Sequence, residues 1–317
     1  MTLACAIDEF ARYKRALGCG YQGDFNRLKA FLRYTGDIDL KSVSRQHLES
    51  YLPVNHRQPA VRGWFSKFQA LKLFFNFARN RGYIQQDLMT ISLPERPPEF
   101  VPYIFSVADM RRLLGVSDAQ YPPRAPLEPK TMRAFLIFLF GTGLRPGEAM
   151  KLGTSDVDLE NSILTVRDTK FYKSRLVPLG ADLVGVLHDY RRNHTPDAQG
   201  VETPFFCNRL RTGVTHAQAD HEFQWLRAEA NVLRFDVARY QPRLHDFRHT
   251  FAVTRLTSWY REGKDVQRLL PQLSTYLGHV SIDETATYLR MTKDLLQEAN
   301  HRFELYASAK SEGVRHG

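Results

Sequence analysis

Cysteine is scarce. The three in this chain, Cys5, Cys19 and Cys207, are scattered and have no CxxC spacing, which argues against a disulfide framework or a cysteine-built zinc site and for a reducing compartment. Long apolar runs are missing too. Nowhere do about 18 apolar residues follow one another, and the N-terminal MTLACAIDEFARYKR has no apolar stretch behind a basic start, so neither membrane insertion nor export is expected. No internal repeat or low-complexity segment is present, which removes support for solenoid and scaffold readings. Acidic charge is in deficit: 34 Asp plus Glu face 44 Lys plus Arg, for a net charge of +10. That balance suits a polyanionic partner.

What is there is a chain of 317 residues, 43% hydrophobic, 12% aromatic and 25% charged, long enough for two domains with cores of their own. The charge is uneven, with 15 Lys/Arg against 8 Asp/Glu in residues 1–98, a net +7. Segments 5–17, 24–35 and 44–52 read as short helices, the second with Phe25, Leu28 and Leu32 on one face and Phe31 beside them. From Val61 to Tyr83 a broad apolar face of Trp64, Phe65, Phe68, Leu71, Phe74, Phe75 and Phe77 is interleaved with Arg62, Lys67, Lys72, Arg79 and Arg81. The aromatics read as core rather than a base-stacking surface; the basic residues fit a solvated face or a phosphate-binding one equally.

Prolines at 94, 97, 98 and 102 break the pattern, since neither helix nor central strand continues through them. They divide the chain into an N-terminal helical domain, 1–93, a linker, 94–102, and a second domain, 103–317. Ser106 stands as an N-cap before Val107, Ala108 and Asp109. A buried helix is expected over 131–140, then a β-hairpin of Ile163–Arg167 and Arg175–Leu179 around the turn DTKFYK, then mainly helices from Ala181 onward. The fold class is mainly α with a small β-hairpin or sheet.

Three places carry polar groups suited to chemistry. GTGLRPGEAMKL puts Arg145 after an apolar helix and a glycine turn, with Glu148 three residues on to pair with it or orient it. LHDFRHTFA puts His245 and Arg248 at i and i+3, so that on a helix both face one site. YLGHVSIDETATYLRM places His279 in a glycine-preceded turn and Tyr288 nine residues beyond. His245 and His249 have the i, i+4 spacing of a zinc-protease HExxH, but Asp246 stands where the Glu is needed and no third ligand motif follows. His249 therefore reads as structural, and no metal or other cofactor is expected.

In order and spacing these residues resemble one family, the tyrosine-type site-specific DNA recombinases, which include phage integrases and the chromosome-dimer-resolving recombinases of bacteria. The resemblance covers nearly the whole chain. It implies that 1–93 is a core-binding domain and 103–317 an α+β catalytic domain. Arg145, His245, Arg248, His279 and Tyr288 fall on the family's Arg, His-x-x-Arg, His/Trp and Tyr positions. The hairpin DTKFYKSRLVPL resembles the strand-turn-strand carrying the family's Lys; Lys170 fits that position, although Thr169 and Phe171 flank it where the family commonly has glycines, and Lys173 competes. Tyr276 and Tyr260 are the rival nucleophiles, but Tyr276 precedes His279 on what resembles the family's packing helix.

The implied activity is DNA breakage and rejoining through a 3′-phosphotyrosyl link with a free 5′-hydroxyl, serving integration, excision or transposition of a mobile element, with neither metal nor ATP. A tyrosine oxygen can store the bond energy of a phosphodiester. Its reference pKa near 10 leaves roughly 4 kcal/mol to be found at neutral pH, so positive charge or a base must help. Arg145 and Arg248 are the expected phosphate clamp, because two guanidiniums donate paired hydrogen bonds in fixed geometry. Lys170 is the expected acid for the leaving hydroxyl, His245 accepts or tunes the Tyr288 proton, His279 donates to a phosphate oxygen, and Glu148 holds the set together. Arg62, Lys67, Lys72 and Lys173 are the candidate DNA-binding residues. The expected partners are double-stranded DNA at specific sites, further copies of the chain in a tetramer, and accompanying recombinases, in the cytoplasm at the nucleoid. Residues 292–308 have helical character, suited either to a neighbouring subunit or to their own domain. Two other readings stay open: a type IB topoisomerase-like DNA-relaxing enzyme and a non-catalytic DNA-binding accessory factor.

Overall fold

The computed structural model describes residues 1–18, 21–53, 62–94, 101–167, 174–194, 203–236, 240–279 and 281–290. It divides into two compact units, one of residues 1–99 and a larger one beginning at Phe100.

The first unit is helical: α1 (Leu3–Ala16), α2 (Gln22–Thr35), α3 (Arg45–Tyr51) and α4 (Arg62–Asn80), with a 3-10 turn at Leu40–Ser42. Thr2 opens α1 by accepting the Cys5 N–H, and Gly36, at φ +75°, closes α2. The aromatic stripe of α4 is core: Phe74 and Phe77 pack on Phe10 of α1, and Phe75 meets Phe31 of α2. Each such buried ring contributes roughly 2 kcal/mol. Lys67 and Lys72 lie on the exposed side of α4, and the Lys67 ammonium sits 5.1 Å from the Tyr51 ring. Arg62 is the first residue of α4, and its side chain lies outside the described residues.

In the second unit α5 (Val107–Ala119) opens on a reciprocal cap: Ser106 Oγ accepts the Asp109 N–H at 3.0 Å, and Asp109 accepts the Ser106 N–H at 2.8 Å. The central element is α6 (Pro129–Thr142), apolar nearly all round, which packs on α5, on α8 (Ala181–His194) and on α10 (Asp246–Arg261). Between them come α7 (Pro146–Ala149), a three-stranded antiparallel sheet in the order β1 (Val157–Asp158), β2 (Ile163–Val166), β3 (Arg175–Pro178), and α9 (His216–Glu229). The expected hairpin is thus β2 and β3, paired with Leu164 opposite Val177, and β1 is an addition too short to leave a period-2 pattern.

α11 (Val266–Leu277), α12 (Ile282–Ala286) and a 3-10 turn, Thr287–Arg290, complete the described chain. They pack with α10 around Ala252, Leu256, Leu270, Leu273 and Tyr288. The incoming chain is stitched to α10 on both sides of Arg248: Phe105 stacks on Phe247, centroids 4.2 Å apart, and its N–H donates to Thr250 Oγ1 at 2.9 Å. Residues 292–308 lie outside the described residues.

Candidate active site

Arg248 is only 1% exposed and is the largest fully buried side chain among the described residues. α10 begins at Asp246, whose buried carboxylate accepts the Arg243 N–H at 2.9 Å and the Arg243 guanidinium at 2.8 Å. His245 is therefore the residue that caps the helix rather than one within it, and Arg248 stands in the first turn. Burying a guanidinium is costly unless its donors are met. Here Nη1 donates to the Gly143 carbonyl at 3.2 Å and Nη2 to the Leu277 carbonyl at 2.6 Å. Both acceptors are at helix C-termini, of α6 and α11, where carbonyls lack partners and the helix dipole is negative. Burial, then the charge of Arg145, lowers the Arg248 pKa to about 10, so it stays cationic at neutral pH.

Glycine makes both helix ends possible. Gly143 (φ +63°) and Gly278 (φ +68°) each turn the chain through the left-handed region. A side chain at Gly143 would meet the Phe251 ring at 2.6 Å, and one at Gly278 would meet Arg175 Nη1 at 2.7 Å.

Glu148 lies between two arginines. Arg145 Nη1 donates to its Oε1 at 2.9 Å and the Arg145 N–H to Oε2 at 3.1 Å. From β3, Arg175 donates to the same two oxygens, Nη2 to Oε2 at 2.8 Å and Nη1 to Oε1 at 3.3 Å. Burial alone would raise the Glu148 pKa, but the hydrogen bond and charge of Arg175, followed by the charge of Arg145, outweigh it and hold the carboxylate below its ordinary range.

Tyr288 sits on the terminal 3-10 turn and is 4% exposed. Its ring contacts two imidazoles: His279 nearly parallel at 5.9 Å, His249 edge-on at 5.4 Å. Burial outweighs the pull of Arg248 and the charge of Arg145, so the phenol pKa stands above its ordinary value. His279 is held by Thr285 Oγ1, 2.6 Å from Nδ1, and by its N–H bond to the Ser274 carbonyl. Burial, then the charge of Arg248, lowers its pKa to about 3; burial, then His245, lowers that of His249 to about 3. His245 presents its ring to solvent, yet the crowding protein and the charge of Arg248 also hold it below its ordinary value.

The model of the phage integrase family matches residues 107–294, more than half of the chain. The chain belongs to that family. Among curated relatives, "Putative integrase/recombinase y4rB" of Sinorhizobium fredii is 33% identical, covering 96% of this chain and 97% of its own. The tyrosine recombinase XerC of Oceanobacillus iheyensis is 27% identical, with 88% and 87% covered. Among solved structures, the Tn1549 transposon integrase in complex with a circular intermediate DNA has the same fold, with a TM-score of 0.69 at 17% identity over 95% of this chain and 99% of that one.

Within this integrase-family chain, Arg145, Glu148, His245, Arg248, His279 and Tyr288 are placed in one neighbourhood of the second unit by the contacts above. Lys170 and Lys173 lie in the 168–173 turn, outside the described residues. Tyr276 is on α11, stacked on Phe251, and burial raises its pKa to about 12; Tyr260 is in the last turn of α10. Two members of the neighbourhood were not assigned a part from the sequence: Arg175, which opens the RLVPL strand, and His249, set aside as structural. Among the described residues no group of three or more His, Cys, Asp or Glu is arranged to hold a metal ion. No described helix is long and apolar enough to cross a membrane.

Proposed function

We propose that this chain is a site-specific DNA recombinase in which Tyr288 attacks a DNA phosphate, forms a 3′-phosphotyrosyl bond and releases a 5′-hydroxyl, serving the integration, excision or transposition of a mobile element. The observation that carries the reading is the Tyr288 phenol, buried against the His249 and His279 rings and within the field of Arg248 and Arg145. Those cations favour the phenolate that must attack. They also supply donors for the charge that grows on the non-bridging oxygens. Arg145, with a side chain 35% exposed, is the more accessible member of the clamp. His279 donates to a phosphate oxygen, His245 takes or tunes the Tyr288 proton, and Glu148 aims Arg145. Lys170 protonates the leaving 5′-oxygen. The new bond conserves the energy of the old one, so a 5′-hydroxyl from another strand reseals the backbone by reversing the step.

Exchange between two duplexes requires four strand cuts and so four copies of Tyr288, which supports a homotetramer on DNA, with accompanying recombinases as further partners. Domain 1–93, linker 94–102 and domain 103–317 give the layout of a clamp, with Arg62, Lys67, Lys72 and Lys173 on the phosphates. Such work takes place in the cytoplasm at the nucleoid.

The test mixes purified protein with fragmented source DNA, adds denaturing detergent and sequences the DNA that stays attached. Attachment by wild type and none by Tyr288→Phe is expected, and the recovered ends name the target. Equal attachment by both proteins would sink Tyr288 as the nucleophile; relaxation of any supercoiled plasmid by monomeric protein would replace recombination with a topoisomerase activity.

A further inference from the structure

Three consecutive carbonyls at the C-terminal end of α11 are each held by a different arginine. Arg175 Nε donates to Tyr276 at 2.8 Å, Arg248 Nη2 to Leu277 at 2.6 Å, and Arg145 Nη2 makes a long contact with Gly278 at 3.5 Å. The three differ in what else they do. Arg248 is committed to a second helix end through Gly143, and Arg145 is the most exposed, with the weakest of the three carbonyl contacts. Arg175, whose side chain is 11% exposed, spends its guanidinium on both Glu148 oxygens and the Tyr276 carbonyl at once.

We propose that Arg175 is a positioning residue for strand cleavage: by sharing Glu148 with Arg145 and tying down the end of α11, it fixes both the aim of Arg145 and the turn that delivers His279. The inference rests on the function proposed above. Were Arg175 absent, both Glu148 oxygens would be free to grip Arg145 alone, turning the clamp guanidinium toward the carboxylate and away from phosphate. The Tyr276 carbonyl would also lose its donor, and the Gly278–His279 turn its anchor. A lysine has one point of charge and cannot span a carboxylate and a carbonyl in fixed geometry. The fit at Gly278 points the same way, since the guanidinium lies so close to that α-carbon that no Cβ fits between them.

The experiment compares wild type, Arg175→Lys and Arg175→Met on a target duplex nicked to trap the covalent product. It measures DNA affinity, the single-turnover rate of adduct formation at saturating DNA, thermal stability, and amide hydrogen exchange across residues 274–290. Expected are affinities within about 2-fold of wild type and an adduct rate about 10²-fold lower in Arg175→Met, the scale of a displacement of about 1 Å at a reacting group, with Arg175→Lys recovering part of it. Exchange across 274–290 rises in Arg175→Met. In an Arg145→Lys background the same substitution costs much less, because the aim of Arg145 no longer matters. An unchanged adduct rate, a loss that follows DNA affinity, or full independence from Arg145 would overturn the proposal. If wild type forms no adduct at all, the recombinase reading fails instead, and the exchange comparison still decides whether Arg175 anchors the turn.

Discussion

The His249 imidazole meets the Tyr288 ring edge-on, centroids 5.4 Å apart at 65°, and also contacts the His245 ring at 5.2 Å. It thus touches both Tyr288 and the imidazole assigned to the Tyr288 proton. An edge-to-face pair of this kind contributes about 0.5–1.5 kcal/mol beyond its buried area, and its energy depends on the orientation of the ring. Replacing His249 with Ala is expected to slow formation of the covalent adduct about 10-fold, and replacing it with Phe, which keeps a ring, should cost less. Equal losses in Ala and Phe would show that a ring nitrogen matters, not the packing.

The imidazoles that touch Tyr288 make the fold sensitive to acid. His249 and His279 are lowered to about 3 in the folded protein, against an ordinary value near 6.5 in the unfolded chain. The unfolded state therefore binds protons first. The stability from burying these neutral rings is fully present above about pH 6.5 and is lost progressively as pH falls from there toward 3. Glu148, also held low, adds a loss below the ordinary carboxylate range. Melting temperature should fall between about pH 7.5 and 5, and less steeply in His249→Phe. A flat profile over that interval would contradict the buried neutral state of both rings.

Gly278 can be separated from an ordinary left-handed glycine by comparison with Gly263. Both have positive φ, +68° and +71°, but a Cβ on Gly263 meets open space, whereas on Gly278 it meets Arg175. Gly263→Ala should cost about 1 kcal/mol of stability from backbone strain and leave adduct formation intact. Gly278→Ala should cost at least as much and also lower the adduct rate, because Arg175 must move off Tyr276. Identical behaviour of the two variants would mean that the close approach has no consequence.

Much of this arrangement is legible in the sequence, for local reasons. Ser106 and Asp109 announce a helix start by their spacing, Gly143 and Gly278 mark helix ends, and the aromatic stripe of α4 shows its 3.6-residue period. What is not legible is set by distance along the chain. Arg175 opens a strand and belongs to no motif; its partners Glu148 and Tyr276 are 27 and 101 residues away. His249 resembles any interior histidine until Tyr288 folds against it. His245 looks like a helical residue because His-x-x-Arg has helical spacing, yet Asp246 claims Arg243 and starts the helix one position later. Tyr288 carries the same ambiguity: a short α12 gives way to a 3-10 turn just before it.

Removing the Glu148 charge should convert the site from a self-neutralised one into an anion trap. Glu148 is the carboxylate that pairs with both Arg145 and Arg175, and Arg248 feels both arginines as repulsive neighbours. In Glu148→Gln the hydrogen-bonding shape survives, but three guanidiniums face one another without their counter-charge. Breaking a buried pair on one side costs about 3–5 kcal/mol. The partial exposure of Arg145 reduces this to about 2–3 kcal/mol. An oxyanion that binds the folded state alone restores stability by mass action. Inorganic sulfate should therefore raise the melting temperature of Glu148→Gln more than that of wild type, at matched ionic strength with chloride as the control. Parallel responses to sulfate in the two proteins would mean that Glu148 does not hold the arginines in balance, and that their convergence on the end of α11 is set by the helix carbonyls alone.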